Sequence, residues 1–254
     1  MSGLTLRPQT FMCCGVRIDA ITPDTSAERL LESRYGQPRR THLCNAYTLS
    51  LAMKDRQYRE LLNESDINFA DGHYVAMVGR RRGHPDMSQR TYGPTLMLDT
   101  IDRGREQGLR HYLYGASPET VAKLAAALTE RCPGAQIVGV ESPPFRDLTP
   151  DEERELADRV AEAKSDVFWV GIGTPRQDYF VARCAEQLRC TVVPVGAAFD
   201  FHAGVKKTAP PFLQRHGLEW AYRLATEPRR LWKRYLVGNS VFVFGALTDR
   251  WRHS

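Results

Sequence analysis

The sequence lacks any long hydrophobic run. Nowhere in its 254 residues do about eighteen apolar residues follow one another, so no segment is predicted to cross a membrane. The N-terminal residues lack a long apolar core and a small-residue cleavage site, which argues against a secretory signal peptide. The six cysteines form no CxxC pair and no zinc-binding spacing. We therefore expect reduced thiols in a cytoplasmic protein.

Motifs for metal binding and for hydrolases are also absent. The seven histidines show neither an HxH nor an i, i+4 grouping, so the sequence predicts no metal site. No GxSxG motif or Ser-His-Asp pattern occurs, which disfavours a serine hydrolase. The composition, with 42% hydrophobic and 26% charged residues, is that of an ordinary globular protein.

Positive charge is concentrated near the C-terminus. The net charge is +5, and residues 223–234 hold four arginines and one lysine against one glutamate. Basic patches recruit phosphate groups. The cluster therefore fits three kinds of partner: nucleic acid, an anionic lipid surface, or a substrate that contains a diphosphate.

Strand-like and helix-like patterns alternate along residues 11–204. Apolar β-branched and aromatic runs are predicted to be strands, the first at residues 11–18, and segments of helical periodicity, such as residues 47–62, lie between them. This alternation predicts an α/β fold with a doubly wound parallel sheet. We place the α/β domain at residues 1–209.

The C-terminal segment, residues 210–254, has a different pattern. Residues 213–226 and 228–237 are predicted to form basic amphipathic helices, and an apolar segment follows at residues 241–247. Arginines beside apolar and tryptophan residues suit a membrane interface. The alternative is a helix that packs on the core and presents a basic face to water.

Two strand-to-loop transitions carry the strongest functional signal. An apolar run at residues 167–170 ends in Gly171 and Gly173, and a second run precedes Asp200. Glycine backbone can approach a phosphate closely, and ligands of open α/β sheets bind at this edge. Gln177 follows as a potential donor to phosphate or sugar oxygens. A dinucleotide motif would need a third glycine where Arg176 stands, so NAD is disfavoured.

Four more residues follow predicted strands or precede predicted helices. Asp71 can act as a general base or bind ribose, or it can simply form a turn. Asn45 points into the same cleft or satisfies its own turn. Arg90 can clamp a diphosphate or be solvated. Gly115 opens a helix whose N-terminus can bind phosphate, or it belongs to an ordinary turn capped by Ser117.

The motifs described above, taken in their order along the chain, resemble those of the WecG/TagA/CpsF family of bacterial glycosyltransferases over residues 15–238. The resemblance rests on NAYTLSLA, DINFADG, RTYG, YLYGASPE, ESPPFR, VGIGTPRQD, VGAAFDFHAG and GLEWAYRLATEPRRLWKRY. It implies a Rossmann-like α/β fold with a helical appendage. It also implies inverting, metal-independent transfer of a sugar from a UDP-sugar to a polyprenyl diphosphate-linked sugar, at the inner face of the cell membrane, in exopolysaccharide, capsule or wall-polymer synthesis.

The resemblance also assigns roles to residues. Asp71 matches the general base, and Asn45, Arg90 and Gln177 match pocket residues. Gly171, Gly173 and Asp200 match part of the UDP site. On the basic appendage, which is expected to close over the diphosphate, the matching residues are Arg223, Arg230 and Lys233, the last standing where arginine is common.

Two other interpretations fit parts of the sequence. A nucleic-acid-binding module would use the basic segment, but no RRM, KH or helix-turn-helix signature occurs, so no nucleic-acid partner is expected. A nucleotide-binding α/β protein without transferase activity is the other alternative. The sequence is compatible with several donor sugars and polysaccharides, and a homo-oligomer is one of the oligomeric states that it allows.

Overall fold

The computed structural model describes residues 9–87 and 89–248, so the end of the predicted appendage, residues 249–254, lies outside the described residues. The strands are β1 (Thr10–Cys13), β2 (Val16–Asp19), β3 (Thr41–Cys44), β4 (Ile67–Ala70), β5 (Arg110–Gly115), β6 (Gln136–Glu141), β7 (Val167–Gly171) and β8 (Thr191–Pro194). The helices are α1 (Pro23–Leu31), α2 (Ala46–Lys54), α3 (Arg56–Asn63), α4 (His73–Arg81), α5 (Gly93–Arg103), α6 (Pro118–Arg131), α7 (Pro150–Glu162), α8 (Arg176–Leu188), α9 (Ala198–His202), α10 (Pro211–Arg215), α11 (Glu219–Thr226), α12 (Pro228–Trp232) and α13 (Gly238–Thr248). A 3₁₀ turn, Glu32–Arg34, follows α1, and a π-helical turn, Lys233–Val237, joins α12 to α13.

The strands pair in parallel, apart from the β1–β2 hairpin. One sheet has the order β6-β5-β7-β8, and β3 pairs with β4 in a second. A parallel bridge between Arg40 and Val192 places β3 beside β8, so the two sheets lie side by side. The α/β fold with a parallel sheet is thereby confirmed, and the carboxyl ends of β3, β4, β7 and β8 reach the same edge.

Helices cover both faces of this sheet. Successive side chains of a strand point to opposite faces, and in β7 both Phe168 and Trp169 are fully buried. Trp169 packs in a core that includes Leu30 of α1, Met97 of α5 and Leu124 of α6. Phe168 packs in another core with residues of α7 and α8. Burial on both faces explains why these strands are continuously apolar.

Three predicted elements are interrupted by turns. Residues 11–18 form a hairpin rather than one strand, because Cys14 (φ 55°) and Gly15 (φ 76°) reverse the chain. The helix predicted at 47–62 breaks at Asp55, whose carboxylate accepts hydrogen bonds from two backbone N–H groups of α3 and so starts a new helix. The helix predicted at 213–226 is divided into α10 and α11 by a turn that contains Gly217 (φ 71°).

Helix α13 is apolar on two opposite sides. Phe242 is buried against Cys14 and Leu49, and Gly245 approaches Met53 of α2 so closely that a Cβ there would lie 2.2 Å from its sulfur. On the other side of α13 large apolar side chains are exposed, so this helix does not present the purely basic outer face of the alternative interpretation. Exposed apolar side chains also occur on the preceding α12 and π-helical turn. We call the whole exposed group the apolar stripe: Trp232, Leu236, Val237, Val243, Phe244 and Leu247. Among the described helices, none has the length and apolar character needed to cross a bilayer.

Because the two faces of α13 differ in burial, a phenylalanine-to-alanine substitution should change the free energy of unfolding by very different amounts on each face. Phe242 is 4% exposed and Phe244 is 66% exposed. Phe242→Ala should lower the free energy of unfolding by about 3 kcal/mol or more, because it leaves a cavity between α13 and the core. Phe244→Ala should change it by less than about 0.5 kcal/mol. Urea unfolding measures both, and equal losses would contradict the packing of α13.

Candidate active site

A cavity of about 390 Å³ lies at the carboxyl edge of the sheet, between the strand ends and the appendage. Its lining combines residues of loops that follow β3, β4, β7 and β8 with residues of α11, α12 and the π-helical turn. Of the predicted site residues, the structure brings nine to this cavity: Asn45, Asp71, Arg90, Gly171, Gly173, Gln177, Asp200, Arg223 and Arg230. Gly115 and Lys233 are not part of its lining.

Asn45 caps α2 and contacts Asp71 at the same time. Its Oδ1 accepts hydrogen bonds from the backbone N–H groups of Tyr47 (3.0 Å) and Thr48 (3.2 Å). This capping leaves Nδ2 to donate to Oδ2 of Asp71 at 3.4 Å. The two uses that the sequence offered as alternatives for Asn45 are thus combined, and the cap fixes the orientation of the amide.

Asp71 lies just beyond β4, where its backbone N–H donates to the carbonyl of Cys44 at 3.0 Å. Its carboxylate does not cap α4, because Gly72 occupies the capping position and no side chain bonds there. Burial raises the pKa of Asp71 above that of an ordinary carboxyl; the charge of Arg90 opposes this rise, and the charge of Glu219 adds to it. A carboxylate with a raised pKa is a better proton acceptor once it is ionised.

Arg90 forms an ion pair with Glu219, the first residue of α11. The side chains of Arg90 and Glu219 are only 18% and 10% exposed, so Arg90 is not a solvated loop residue. Its guanidinium lies 4.1 Å from the ring centroid of Tyr92, whose hydroxyl donates to Glu219 at 3.4 Å. The ion pair ties the appendage to the loop that precedes α5.

Glycines let the carboxyl ends of β5 and β7 approach each other closely. A Cβ on Gly115 would lie 2.6 Å from the backbone of Gly171, and Gly115 has a φ of 150°. Gly115 therefore serves close backbone packing, while Ser117 caps α6 by accepting a hydrogen bond from the N–H of Thr120. Gly171 itself lines the cavity against the ring of Phe199.

Gln177 holds the loop in which Gly173 lies. Its Oε1 accepts from the N–H of Gly173 at 3.1 Å, and its Nε2 donates to Oγ1 of Thr174 at 3.3 Å. Gly173 has a φ of 85°, which a side chain would disfavour. The amide of Gln177 thus shapes the backbone that faces the cavity.

A buried polar network lies beside this loop. Asp178 accepts from Nδ1 of His42 and from the hydroxyl of Tyr58, both at 2.8 Å. The three side chains are almost fully buried and come from β3, α3 and α8. The network therefore fastens the strand that leads to Asn45 to the helix that begins beside Gln177.

The cavity is largely cationic on the appendage side. Lys206 pairs with Asp200 at 2.8 Å and with Glu227 at 3.7 Å, and Glu227 also accepts from Nε of Arg230 at 2.6 Å. Arg223 lies 5.6 Å from the ring centroid of Phe201. Within residues 9–87 and 89–248, no three His, Cys, Asp or Glu side chains could hold a metal ion.

The cation that the π-helical turn brings to the cavity is Arg234, not Lys233. Leu231 and Tyr235 are buried, so Lys233, midway between them, projects away from the core. Lys233 is exposed, with its ammonium 5.4 Å from the ring centroid of Trp232. The four-residue spacing of the apolar Leu231 and Tyr235 is the sequence signal that could have shown that Arg234, and not Lys233, faces the cavity.

The lining residues that no sequence pattern singled out include Glu219, Trp220 and Arg234. Glu219 and Trp220 lie in the GLEW segment that carried part of the resemblance. No local pattern indicates that a glutamate within a basic segment pairs with an arginine 129 residues away, so only the folded chain reveals this contact.

Comparison with known proteins identifies the family to which the chain belongs. The chain matches the family described as "Glycosyl transferase WecG/TagA/CpsF family" over residues 11–254. It is 32% identical over 186 residues to the N-acetylglucosaminyldiphosphoundecaprenol N-acetyl-beta-D-mannosaminyltransferase of Bacillus spizizenii, covering 73% of this chain and 70% of that protein. The chain therefore belongs to the WecG/TagA/CpsF family of glycosyltransferases.

The electrostatics of the site predict the effect of one substitution. Because the charge of Glu219 raises the pKa of Asp71, Glu219→Gln should lower that pKa, and the unpaired guanidinium of Arg90 should act in the same direction. Carboxyl ¹³C chemical shifts followed over a pH titration would measure the change. Glu227→Gln, which removes a carboxylate paired with Lys206 and Arg230, serves as the control and should leave the pKa of Asp71 unchanged. An unchanged or higher pKa in Glu219→Gln would contradict the assignment.

Proposed function

We propose that this member of the family transfers a hexose, N-acetylmannosamine or a related sugar, from a UDP-sugar to a sugar carried on a polyprenyl diphosphate, with inversion at the anomeric carbon. The product would enter a cell-surface polysaccharide: an exopolysaccharide, a capsule or a wall polymer. The family membership and the activity for which the Bacillus spizizenii relative is named support this proposal.

The observation that carries the proposal is the oriented carboxylate of Asp71 in the cavity. Asn45 holds one carboxylate oxygen, and burial raises the pKa of the group. In the proposed step the acceptor hydroxyl oxygen attacks the anomeric carbon, and its proton passes to Asp71. The bond between that carbon and the donor diphosphate breaks, and UDP leaves with the electron pair.

The leaving diphosphate needs positive charge where its own negative charge develops. Arg223 and Arg230 line the cavity on the appendage side, and we assign them to this task. Gly171 and Gly173 leave room for the phosphates to approach the backbone on the sheet side. Because arginines on one side of the cavity can supply the positive charge and glycine backbone on the other side leaves room for the phosphates, we propose that the transfer is metal-independent.

The proposed acceptor is anchored in lipid, so the enzyme must work at a membrane surface. The apolar stripe runs along α12, the π-helical turn and α13, and with the exposed Lys233 beside it, it suits the boundary between lipid headgroups and acyl chains. We propose that the stripe docks on the anionic inner face of the cell membrane, as a peripheral contact. Docking there would orient the appendage side of the cavity toward the lipid-linked acceptor.

The first test measures UDP release for a panel of UDP-sugars. Each is offered with and without a short-chain polyprenyl diphosphate-linked sugar, in the presence of EDTA. We expect release that requires one particular donor and the lipid-linked acceptor and that persists with EDTA. No release from any pair would contradict the proposed transfer, and loss of release in EDTA alone would contradict metal independence.

Asp71→Asn supplies the matched variant for this assay. The amide keeps the shape of the side chain but cannot accept the proton, so turnover should fall by at least about 10²-fold, the range typical of general-base loss. Binding of UDP, measured by calorimetry, should stay close to wild type. Turnover above about a tenth of wild type would show that Asp71 is not the base.

The membrane contact can be tested without the reaction. The double variant Leu236→Asp, Phe244→Asp places charge in the middle of the apolar stripe, where insertion among acyl chains becomes unfavourable. Its binding to anionic liposomes in a flotation assay should fall at least about tenfold. Tyr35→Asp, at an apolar side chain that is 80% exposed outside the appendage, is the control and should bind normally. Normal binding by the double variant would place the membrane contact elsewhere.

A further inference from the structure

A second cavity, with a volume of about 350 Å³, adjoins the first. The two share a wall, since His73, Arg90 and Tyr92 line both of them. The glycines and arginines that the proposed function gives to the UDP moiety line only the first cavity: Gly171, Gly173, Arg223 and Arg230. The second cavity therefore lies beside the reaction site and is not taken up by the donor nucleotide.

The proposed inversion restricts where the acceptor sugar can lie. In inverting transfer the attacking oxygen and the leaving group are on opposite faces of the transferred sugar ring. The acceptor sugar must therefore reach Asp71 from a side that the leaving UDP does not occupy. Asp71 is separated from His73 by one residue, and its pKa responds to the charge of Arg90, so the proposed base lies close to the wall that the two cavities share. The second cavity meets this geometric condition.

Helix α5 supplies a carboxylate to the second cavity. Thr95 and Asp99 line it from one face of this helix, because they are one turn apart. Burial raises the pKa of Asp99, and the charge of Arg103 opposes this rise. Arg103 itself pairs with Glu28 at 3.3 Å, and among the described residues Asp99 forms neither a hydrogen bond nor a salt bridge. The oxygens of Asp99 are thus available as acceptors for a ligand.

The appendage supplies donors to the same cavity through α10. Arg215 lines the second cavity, is exposed, and forms no salt bridge within the described part of the chain. Gln214 lines it too, and its Nε2 donates to the carbonyl of Ala209 at 2.6 Å, which fixes the side-chain amide. Gly217, just after α10, lies so close to His73 that a Cβ there would be 2.8 Å from its ring. This approach places α10 beside the start of α4, where it closes the second cavity.

The lining of the second cavity defines the chemistry of its ligand. A carboxylate only accepts hydrogen bonds and a guanidinium only donates them, whereas each sugar hydroxyl can do both, so a neutral sugar can satisfy Asp99 and Arg215 together. A phosphate would be repelled by Asp99, and an apolar chain would leave both charges without a partner. Pro23 and Tyr92 add apolar surface that suits the C–H groups of a sugar ring. The lining therefore favours a neutral pyranose.

We propose that the second cavity is a pyranose subsite that binds the sugar of the lipid-linked acceptor, with Asp99 accepting and Arg215 donating hydrogen bonds to its hydroxyls. The inference rests on the proposed function for the source of this sugar. The hexose of the UDP-sugar is the other pyranose of that reaction, and the experiment separates the two.

The test compares dissociation constants, measured by calorimetry, for ligands with and without a sugar. The acceptor probes are a water-soluble short-chain prenyl diphosphate and the same compound carrying glucose or N-acetylglucosamine. The donor probes are UDP, UDP-glucose and UDP-N-acetylglucosamine. Within each set, the difference between the bare and the sugar-bearing ligand isolates the contribution of the pyranose.

Two variants alter the second cavity without touching residues of the first. Asp99→Ala removes the acceptor, and Thr95→Trp fills the cavity from an exposed position on α5. Asp102→Ala is the matched control, because Asp102 lies on the same helix, pairs with Arg105 and lines neither cavity. Thermal melting checks that each variant is folded, and either cavity variant suffices if the other is not.

In the wild type we expect at least one attached sugar to tighten binding of the prenyl diphosphate. Asp99→Ala should weaken binding of that sugar-bearing compound about tenfold, the loss typical of a hydrogen bond to a charged group, and Thr95→Trp at least as much. Both variants should bind the bare prenyl diphosphate and all donor probes within about twofold of wild type. Asp102→Ala should stay within the same limit for every probe.

Three results would overturn the proposal. Weaker binding of the UDP-sugars, with UDP itself unaffected, would give the subsite to the donor hexose. Wild-type protein that gains no affinity from either sugar on the prenyl diphosphate would refute a pyranose subsite for the acceptor, and so would cavity variants that bind every probe like wild type. Because these measurements need no turnover, failure of the proposed transfer is detected separately, by the assay of UDP release.

Discussion

The ion pair between Arg90 and Glu219 joins the two sides of the cavity. It joins a loop of the α/β domain to the first turn of α11, and Tyr92 donates to the same carboxylate. Removing one partner of a buried pair leaves an uncompensated charge, at a cost of about 3–5 kcal/mol. The pair therefore fastens α11 beside the cavity, in addition to the packing of α13 on α2, and its two charges act in opposite directions on the pKa of Asp71.

Parallel strand pairing supplies the other half of the arrangement. Because β3 lies beside β4 and β8, the residues at the carboxyl ends of β3, β4 and β7, which are Asn45, Asp71 and Gly171, meet at one edge although they are far apart in sequence. Buried hydrogen bonds from His42 and Tyr58 to Asp178 link β3, α3 and α8 next to this edge. The polar network on the sheet side and the ion pair on the appendage side thus each hold one side of the cavity.

The sequence allowed the α/β fold and the edge residues to be predicted, because both depend on local patterns. Apolar runs that end in Gly171 or precede Asp71 indicate strand ends, and parallel strands bring their ends together. The appendage was harder to predict. Lys233 and Arg234 are adjacent, and the four-residue spacing of the apolar Leu231 and Tyr235 was the signal that would have shown which of them faces the cavity. Glu219 gains its importance from a partner distant in sequence, which no local pattern encodes.

The way Asn45 is held has a consequence for which residues its position tolerates. Its oxygen is committed to two backbone N–H groups, so its nitrogen must face Asp71, 3.4 Å away. Aspartate has the same shape and caps helices equally well. Yet it would set a second carboxylate oxygen against Asp71, and one of the two groups would have to keep a proton. Deamidation of Asn45, which replaces its side-chain nitrogen by oxygen, would thus preserve the shape of the site but replace a hydrogen-bond donor to Asp71 by an acceptor.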